Sequence, residues 1–144
     1  MQREGFAITT ETSFFNIEFV HAFLSKSYWA EHIPIETVQK SIDNSISFGV
    51  FHLGRQIGFA RVITDKATFG YLADVFIDEA YRGQGLSKWL MEEIMTHPDL
   101  QGLRRLMLAT RDAHGLYTRF GFSPLSNAER WMHIHKPDIY KKDD

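Results

Sequence analysis

Between residues 47 and 77 the chain carries three strand-length apolar runs, SFGVFHL (47–53), IGFARVIT (57–64) and TFGYLADVFI (68–77). Only Gly54-Arg55-Gln56 and Asp65-Lys66-Ala67 separate them. Aromatic and β-branched residues fill the runs, and each connector opens on a turn former. Connections this short return the chain beside itself, so the runs predict an antiparallel meander. The next segment breaks that pattern. Residues 84–96 place Leu86, Leu90 and Ile94 on one helical stripe, with Trp89 beside them and Lys88, Glu92 and Glu93 facing out. Pro98 and Gly102 end the helix, and RRLMLAT (104–110) returns to strand character. Strand, helix and strand make a right-handed crossover, which sets runs 68–77 and 104–110 parallel. The expected fold is α/β of the α+β type: a mixed, mostly antiparallel central sheet flanked by helices.

From Thr12 the stretch TSFFNIEFVHAFLSKSYWA repeats apolar residues at helical spacing and predicts a helix capped by Thr12 or Ser13. Pro34 interrupts, and IETVQKSIDNSI (35–46) predicts a second helix. DAHGLYTRF (112–120) predicts a short helix, and ERWMHIHK (129–136) a last strand. At 144 residues the chain fits one domain, 1–144, with no second one. A net charge of -2 argues against a dedicated nucleic-acid binder, and Arg104-Arg105 and Lys141-Lys142 are short, separate basic pairs. With no cysteine there is no disulfide, thiolate zinc site or cysteine nucleophile. No apolar run approaches the roughly 20 residues of a membrane span, and the N-terminus lacks a signal-peptide pattern. A cytoplasmic protein with no membrane partner is the expectation.

The stretch Tyr81 to Ile94, YRGQGLSKWLMEEI, sets two glycines and an arginine before the helix. There the first amides of a helix lack intrahelical partners and carry the positive end of its dipole. Gly83 and Gly85 let backbone approach a ligand oxygen, Arg82 adds donors and charge, and Lys88 sits one turn in. These are the parts of a phosphate cradle, although a plain glycine turn has the same residues. The dinucleotide fingerprint fails at its third glycine, which is Lys88, and no acidic residue ends the next strand near 109. The P-loop spacing is absent.

Arg82-Gly83-Gln84-Gly85-Leu86-Ser87 resembles the [Q/R]-x-x-G-x-[G/A] signature of the GCN5-related N-acetyltransferase (GNAT) superfamily. A second stretch, LATRDAHGLYTRFGFSPL, is similar to that family's A-x-x-L-Y-x-x-x-G-F segment at Ala113, Leu116, Tyr117, Gly121 and Phe122. Three departures accompany the match: Ser87 replaces a Gly or Ala, DEAY stands where an aspartate-proline turn is common, and no asparagine lies near Thr110.

The resemblance implies a GNAT fold, with an initial strand ahead of the two N-terminal helices and splayed parallel strands at a cofactor cleft. It also implies transfer of an acetyl group from acetyl-CoA to a primary amine of a small molecule or peptide. The backbone of Gly83, Gln84, Gly85, Leu86, Ser87 and Lys88, with Arg82 at the entrance, would hold the pyrophosphate. Val75, Phe76 and Ile77 would pair with pantetheine, and Tyr117 would be the general acid. Asp74 is the candidate base and points away from Val75 and Ile77, an orientation that equally suits a structurally bonded aspartate. His114, one turn before Tyr117, is the alternative. Tyr28 and Trp29 fall where the family builds its acceptor pocket, and core packing accounts for them as well. His133 and His135 share a strand face but lack a third metal ligand, so no metal is expected. A non-catalytic acyl-CoA sensor is the rival reading, and a homodimer through the C-terminal strands is compatible with either.

Overall fold

The computed structural model describes residues 4–141. Five strands, β1 (Phe6–Thr9), β2 (Ile46–His52), β3 (Arg55–Thr64), β4 (Phe69–Ile77) and β5 (Arg105–Leu108), form one sheet in sequence order. Neighbours are antiparallel up to β4, and β4 pairs with β5 in parallel. This is the expected mixed sheet. Only the family resemblance implies β1, because four residues carry too little alternation to announce a strand.

The meander depends on two turns. Leu53 and Gly54 both take positive φ, 49° and 83°, so β2 reverses within two residues and Arg55 already pairs with His52. Between β3 and β4 the Asp65 carboxylate accepts from the amides of Ala67, Thr68 and Phe69 and from the Thr68 hydroxyl. Those bonds, led by the Thr68 hydroxyl, hold the Asp65 carboxyl far below the usual carboxylate range.

Helices cover both faces. α1 (Ile17–Leu24) and α2 (Ile35–Asp43) bury Val20, Leu24, Val38 and Ile42 against Phe59 and Phe76 of the sheet. α3 (Leu86–Thr96) buries Leu86, Trp89, Leu90, Met91 and Ile94 on the other face, against Val62, Leu72 and Ile77. Leu90 and Ile94 are fully enclosed at 0% exposure, each contributing about 1.5–3 kcal/mol of apolar burial. The short helix α4 (His114–Thr118) joins this second core through Tyr117.

Two boundaries differ from the sequence expectation. The first helix begins at Ile17, after a 3-10 turn at Thr12–Phe14, and neither Thr12 nor Ser13 caps it. Asn16 is the cap, accepting from the Phe19 amide at 3.1 Å, because the buried Gln56 side chain accepts the Asn16 amide at 2.7 Å and pins the chain there. The expected strand 129–136 does not form. Ala128–Arg130 is a 3-10 turn, and the chain beyond it pairs with no strand. Every residue from 123 to 139 is exposed. Alternation marks a segment able to pair, but a strand also needs an edge to pair with, and that edge is not local. Among the described residues no helix is long and apolar enough to cross a membrane.

Candidate active site

β4 and β5 pair only from Phe69 with Arg105 to Leu72 with Leu108, while β4 runs on to Ile77. A bulge explains the parting. Phe59 pairs with Phe76 and Arg61 with Ala73, so Asp74 and Val75 together oppose Ala60. Asp74 takes a left-handed conformation with φ 57°, and this bends β4 away from its parallel neighbour. Val75, Phe76 and Ile77 therefore lie on the stretch of β4 that β5 leaves open. Val75 and Ile77 face the α3 core, whereas Phe76 packs on the α1 side, stacked on Phe23 at 3.8 Å.

Beyond Ile77, a 3-10 turn at Glu79–Tyr81 leads into the glycine loop. Gly83 and Gly85 have φ of 82° and 81°, conformations that cost a side-chain-bearing residue about 1–2 kcal/mol. A Cβ on Gly83 would meet nothing within 4 Å, so the glycine serves backbone shape and leaves open space in front of the loop. α3 starts at Leu86 with Gly85 as its N-cap, no side chain caps it, and its first turn holds no acidic residue. The amides of Leu86, Ser87 and Lys88 belong to the turn that finds no intrahelical acceptor. Leu86 itself is 1% exposed, so it offers backbone alone. Arg82 Nε donates to the Ile77 carbonyl at 3.0 Å, which ties the loop to the end of β4. An uncapped, glycine-shaped helix start beside an unpaired strand edge suits a diphosphate with an amide-bearing tail.

Tyr117 is 8% exposed, and its ring meets Phe122 edge-on at 6.0 Å. Burial raises its pKa above the ordinary 10.0, with a smaller push from Tyr28, so its hydroxyl stays protonated at neutral pH. Asp74 stands on the other side of β4 from Val75 and Ile77. Its carboxylate accepts from Arg61 Nε at 2.6 Å and from Trp29 Nε1 at 2.7 Å. Tyr28 and Trp29 are half-exposed, set edge to face at 5.0 Å, and Arg111 lies over the Tyr28 ring at 3.9 Å. Around them opens a cavity of about 670 Å³ that reaches from Phe23 and Lys26 to Arg82 and Arg111.

No sequence pattern singles out Arg61 or Arg111. Arg61 lies in no motif, and Arg111 falls within the stretch 108–125 but ahead of its matched positions, which begin at Ala113: Arg61 acquires its role from a strand pairing and Arg111 from a loop facing the α1–α2 connection. His114 is exposed and shares a groove with Tyr117. His133 and His135 stack at 5.8 Å on the exposed C-terminal segment, and no metal-binding group of three side chains exists among the described residues.

The model of the acetyltransferase (GNAT) family matches residues 12–122. A structure from Xanthomonas campestris pv. campestris, assigned to the GNAT acetyltransferases, is 49% identical with a TM-score of 0.93, covering 95% of this chain and 97% of that one. A Gibberella zeae protein assigned as an acetyltransferase is 29% identical over 138 residues, 80% of this chain and 77% of its own. A GNAT family acetyltransferase from Elizabethkingia anophelis, solved with acetyl-CoA bound, shares the fold at 13% identity and a TM-score of 0.66, over 86% of this chain and 80% of that one.

Proposed function

Because the chain belongs to the acetyltransferase (GNAT) family, we propose that it transfers an acetyl group from acetyl-CoA to a primary amine of a small molecule or peptide. The observation that carries this reading is the junction of the uncapped α3 start with the strand edge that β5 abandons after Leu108. The backbone from Gly83 to Lys88 holds the pyrophosphate, with Arg82 at its entrance. The open backbone of Val75, Phe76 and Ile77 pairs with the pantetheine amides as an added strand. An amide near Val75 polarises the thioester carbonyl, a contribution of a few kcal/mol in sites of this kind.

The amine nitrogen bonds to the carbonyl carbon and the carbon–sulfur bond breaks, with no acyl-enzyme. Tyr117 gives its proton to the departing sulfur and regains one from the nitrogen as the amide forms; its raised pKa keeps the hydroxyl protonated beforehand. Asp74 takes the proton that the ammonium must shed. Its two bonds to Arg61 and Trp29 leave lone pairs free, since a carboxylate offers about four acceptor positions. Tyr28 and Trp29 form the acceptor wall and favour an amine with an aromatic or apolar body.

Two measurements test the reading. Titration calorimetry with acetyl-CoA reports the cradle, and thiol release across a panel of amines and peptides reports turnover. Binding together with release is the expected outcome. No binding would overturn the whole assignment, and binding without release on any amine would leave a non-catalytic acyl-CoA module.

A further inference from the structure

We propose that the amine acceptor carries a carboxylate on an aromatic or apolar body, and that Arg111 is the residue that selects for it. This inference rests on the acetyl-transfer reading above and names the class of amine. Arg111 lies over the Tyr28 ring at 3.9 Å, and Tyr28 meets Trp29 edge to face at 5.0 Å. Trp29 in turn donates to Asp74 at 2.7 Å. A continuous row of side chains therefore runs from the proposed base to a guanidinium, with two aromatic rings between them. An acceptor whose amine lies toward Asp74 and whose body rests on these rings brings its other polar end to Arg111.

Stacking occupies the face of a guanidinium and leaves its in-plane N–H donors unused. Among the described residues nothing takes them up, since Arg111 forms no ion pair and its side chain donates to no acceptor. Its place is nevertheless fixed. The Thr110 hydroxyl accepts the Ala113 amide at 3.0 Å, so Arg111 sits on a closed turn just past the point where β5 leaves β4. The stack also stands beside the proposed acid, because Tyr28 is close enough to Tyr117 to push its pKa upward.

The cavity of about 670 Å³ around this stack has a matching charge. Lys26, Arg55, Arg82 and Arg111 line it, against Asp78 and Glu79. None of the four cations forms an ion pair among the described residues, and Asp78 is occupied in capping the Glu79–Tyr81 turn, where it accepts the Ala80 amide. An aromatic cavity with surplus positive charge favours a ligand that is apolar in its body and negative at one end. The two acids make a monoanion a better fit than a doubly charged phosphate. A carboxylate presents two coplanar oxygens, which match the guanidinium fork. Arg82 has its place at the pyrophosphate, whereas Arg111 is seated on the aromatic wall itself.

3-Phenylpropionate and 3-phenylpropanamide test the pocket without turnover, because neither carries an amine. Ligand-observed NMR titrations, with and without coenzyme A, give their affinities. The carboxylate should bind the wild-type protein roughly 10–100-fold more tightly than the amide, whether or not coenzyme A is present. Arg111→Gln should bind both alike, while Arg104→Gln, which removes an exposed charge elsewhere, keeps the preference. Kinetics carry the same comparison to amines, in the matched pairs phenylalanine with phenethylamine and 4-(aminomethyl)benzoate with benzylamine. In at least one pair the carboxylate member should show the higher kcat/KM, and Arg111→Gln should erase that advantage through KM. Equal affinity for carboxylate and amide overturns the proposal, as does a preference that survives Arg111→Gln. Displacement of phenylpropionate by coenzyme A, or a parallel loss of acetyl-CoA affinity in Arg111→Gln, moves the anion to the cofactor cradle and overturns it too. Turnover of the neutral amines in preference to their carboxylate partners sinks this inference and leaves acetyl transfer standing. Failure to bind acetyl-CoA removes the acetyl-transfer reading, and the acceptor role of Arg111 with it.

Discussion

Asp74→Asn separates the structural role of this carboxylate from its proposed chemistry. Asn keeps the side-chain shape and tolerates the left-handed φ of 57°, so the backbone contributes little to the change. What disappears is the charge facing Arg61 Nε at 2.6 Å and an acceptor for either Arg61 or Trp29. The pair is largely shielded from solvent, with side-chain exposures of 16% for Arg61 and 8% for Asp74, so water replaces little of the loss. Removing one partner of a buried pair costs about 3–5 kcal/mol. The amide carbonyl still offers Arg61 an acceptor, and Arg61 keeps its bond to the Ser45 hydroxyl at 3.1 Å. These reduce the expected cost to about 2 kcal/mol, or roughly 4–8 °C in Tm for a domain of this size. Scanning calorimetry at neutral pH measures it. An unchanged Tm would refute the ion pair as a stabilising contact. Kinetics report the chemical role, since a proton acceptor lost from Asp74 lowers kcat by about 10²–10⁴-fold at neutral pH, with recovery as the amine deprotonates at higher pH. A raised KM with kcat intact would instead leave Asp74 only the positioning of Trp29.

Tyr117→Phe should lower kcat by about 10²-fold or more while acetyl-CoA affinity stays put, and full turnover in this variant would refute the general acid. The raised pKa of Tyr117 means the unfolded chain ionises first, so stability falls as pH rises past about 10. Denaturant midpoints on either side of that pH should show part of the fall missing in Tyr117→Phe. Gly83→Ala places a Cβ in open space, so its whole effect is left-handed strain of about 1–2 kcal/mol. The unbound loop can relax out of that strain and binding must restore it, so calorimetry with acetyl-CoA should read binding weakened by up to about 5–30-fold, and wild-type affinity would deny the cradle its shape. Asp65→Ala should lower the unfolding midpoint at neutral pH, and the deficit should vanish as pH falls from 3.8 into strong acid, where the wild-type carboxylate also loses its charge.

Local signals carry much of this molecule. The meander, the crossover helix with Leu86, Leu90 and Ile94 inward, and the glycine loop are all written in spacings shorter than about a dozen residues, where periodicity and turn chemistry act. Tyr117 is legible in the same way, through a contiguous segment. What the tertiary structure alone decided are relations between distant residues. Asn16 caps α1 because Gln56, 40 positions away, fixes its amide. Asp74 holds Trp29 and Arg61 because a bulge in β4 turns it toward the α1–α2 connection, and no alternation pattern contains a bulge. Residues 129–136 have strand alternation yet no strand pairing, because alternation states only which side chains share a face. Whether an edge stands ready to receive them depends on another part of the fold, and a sequence pattern, being local, carries no record of it.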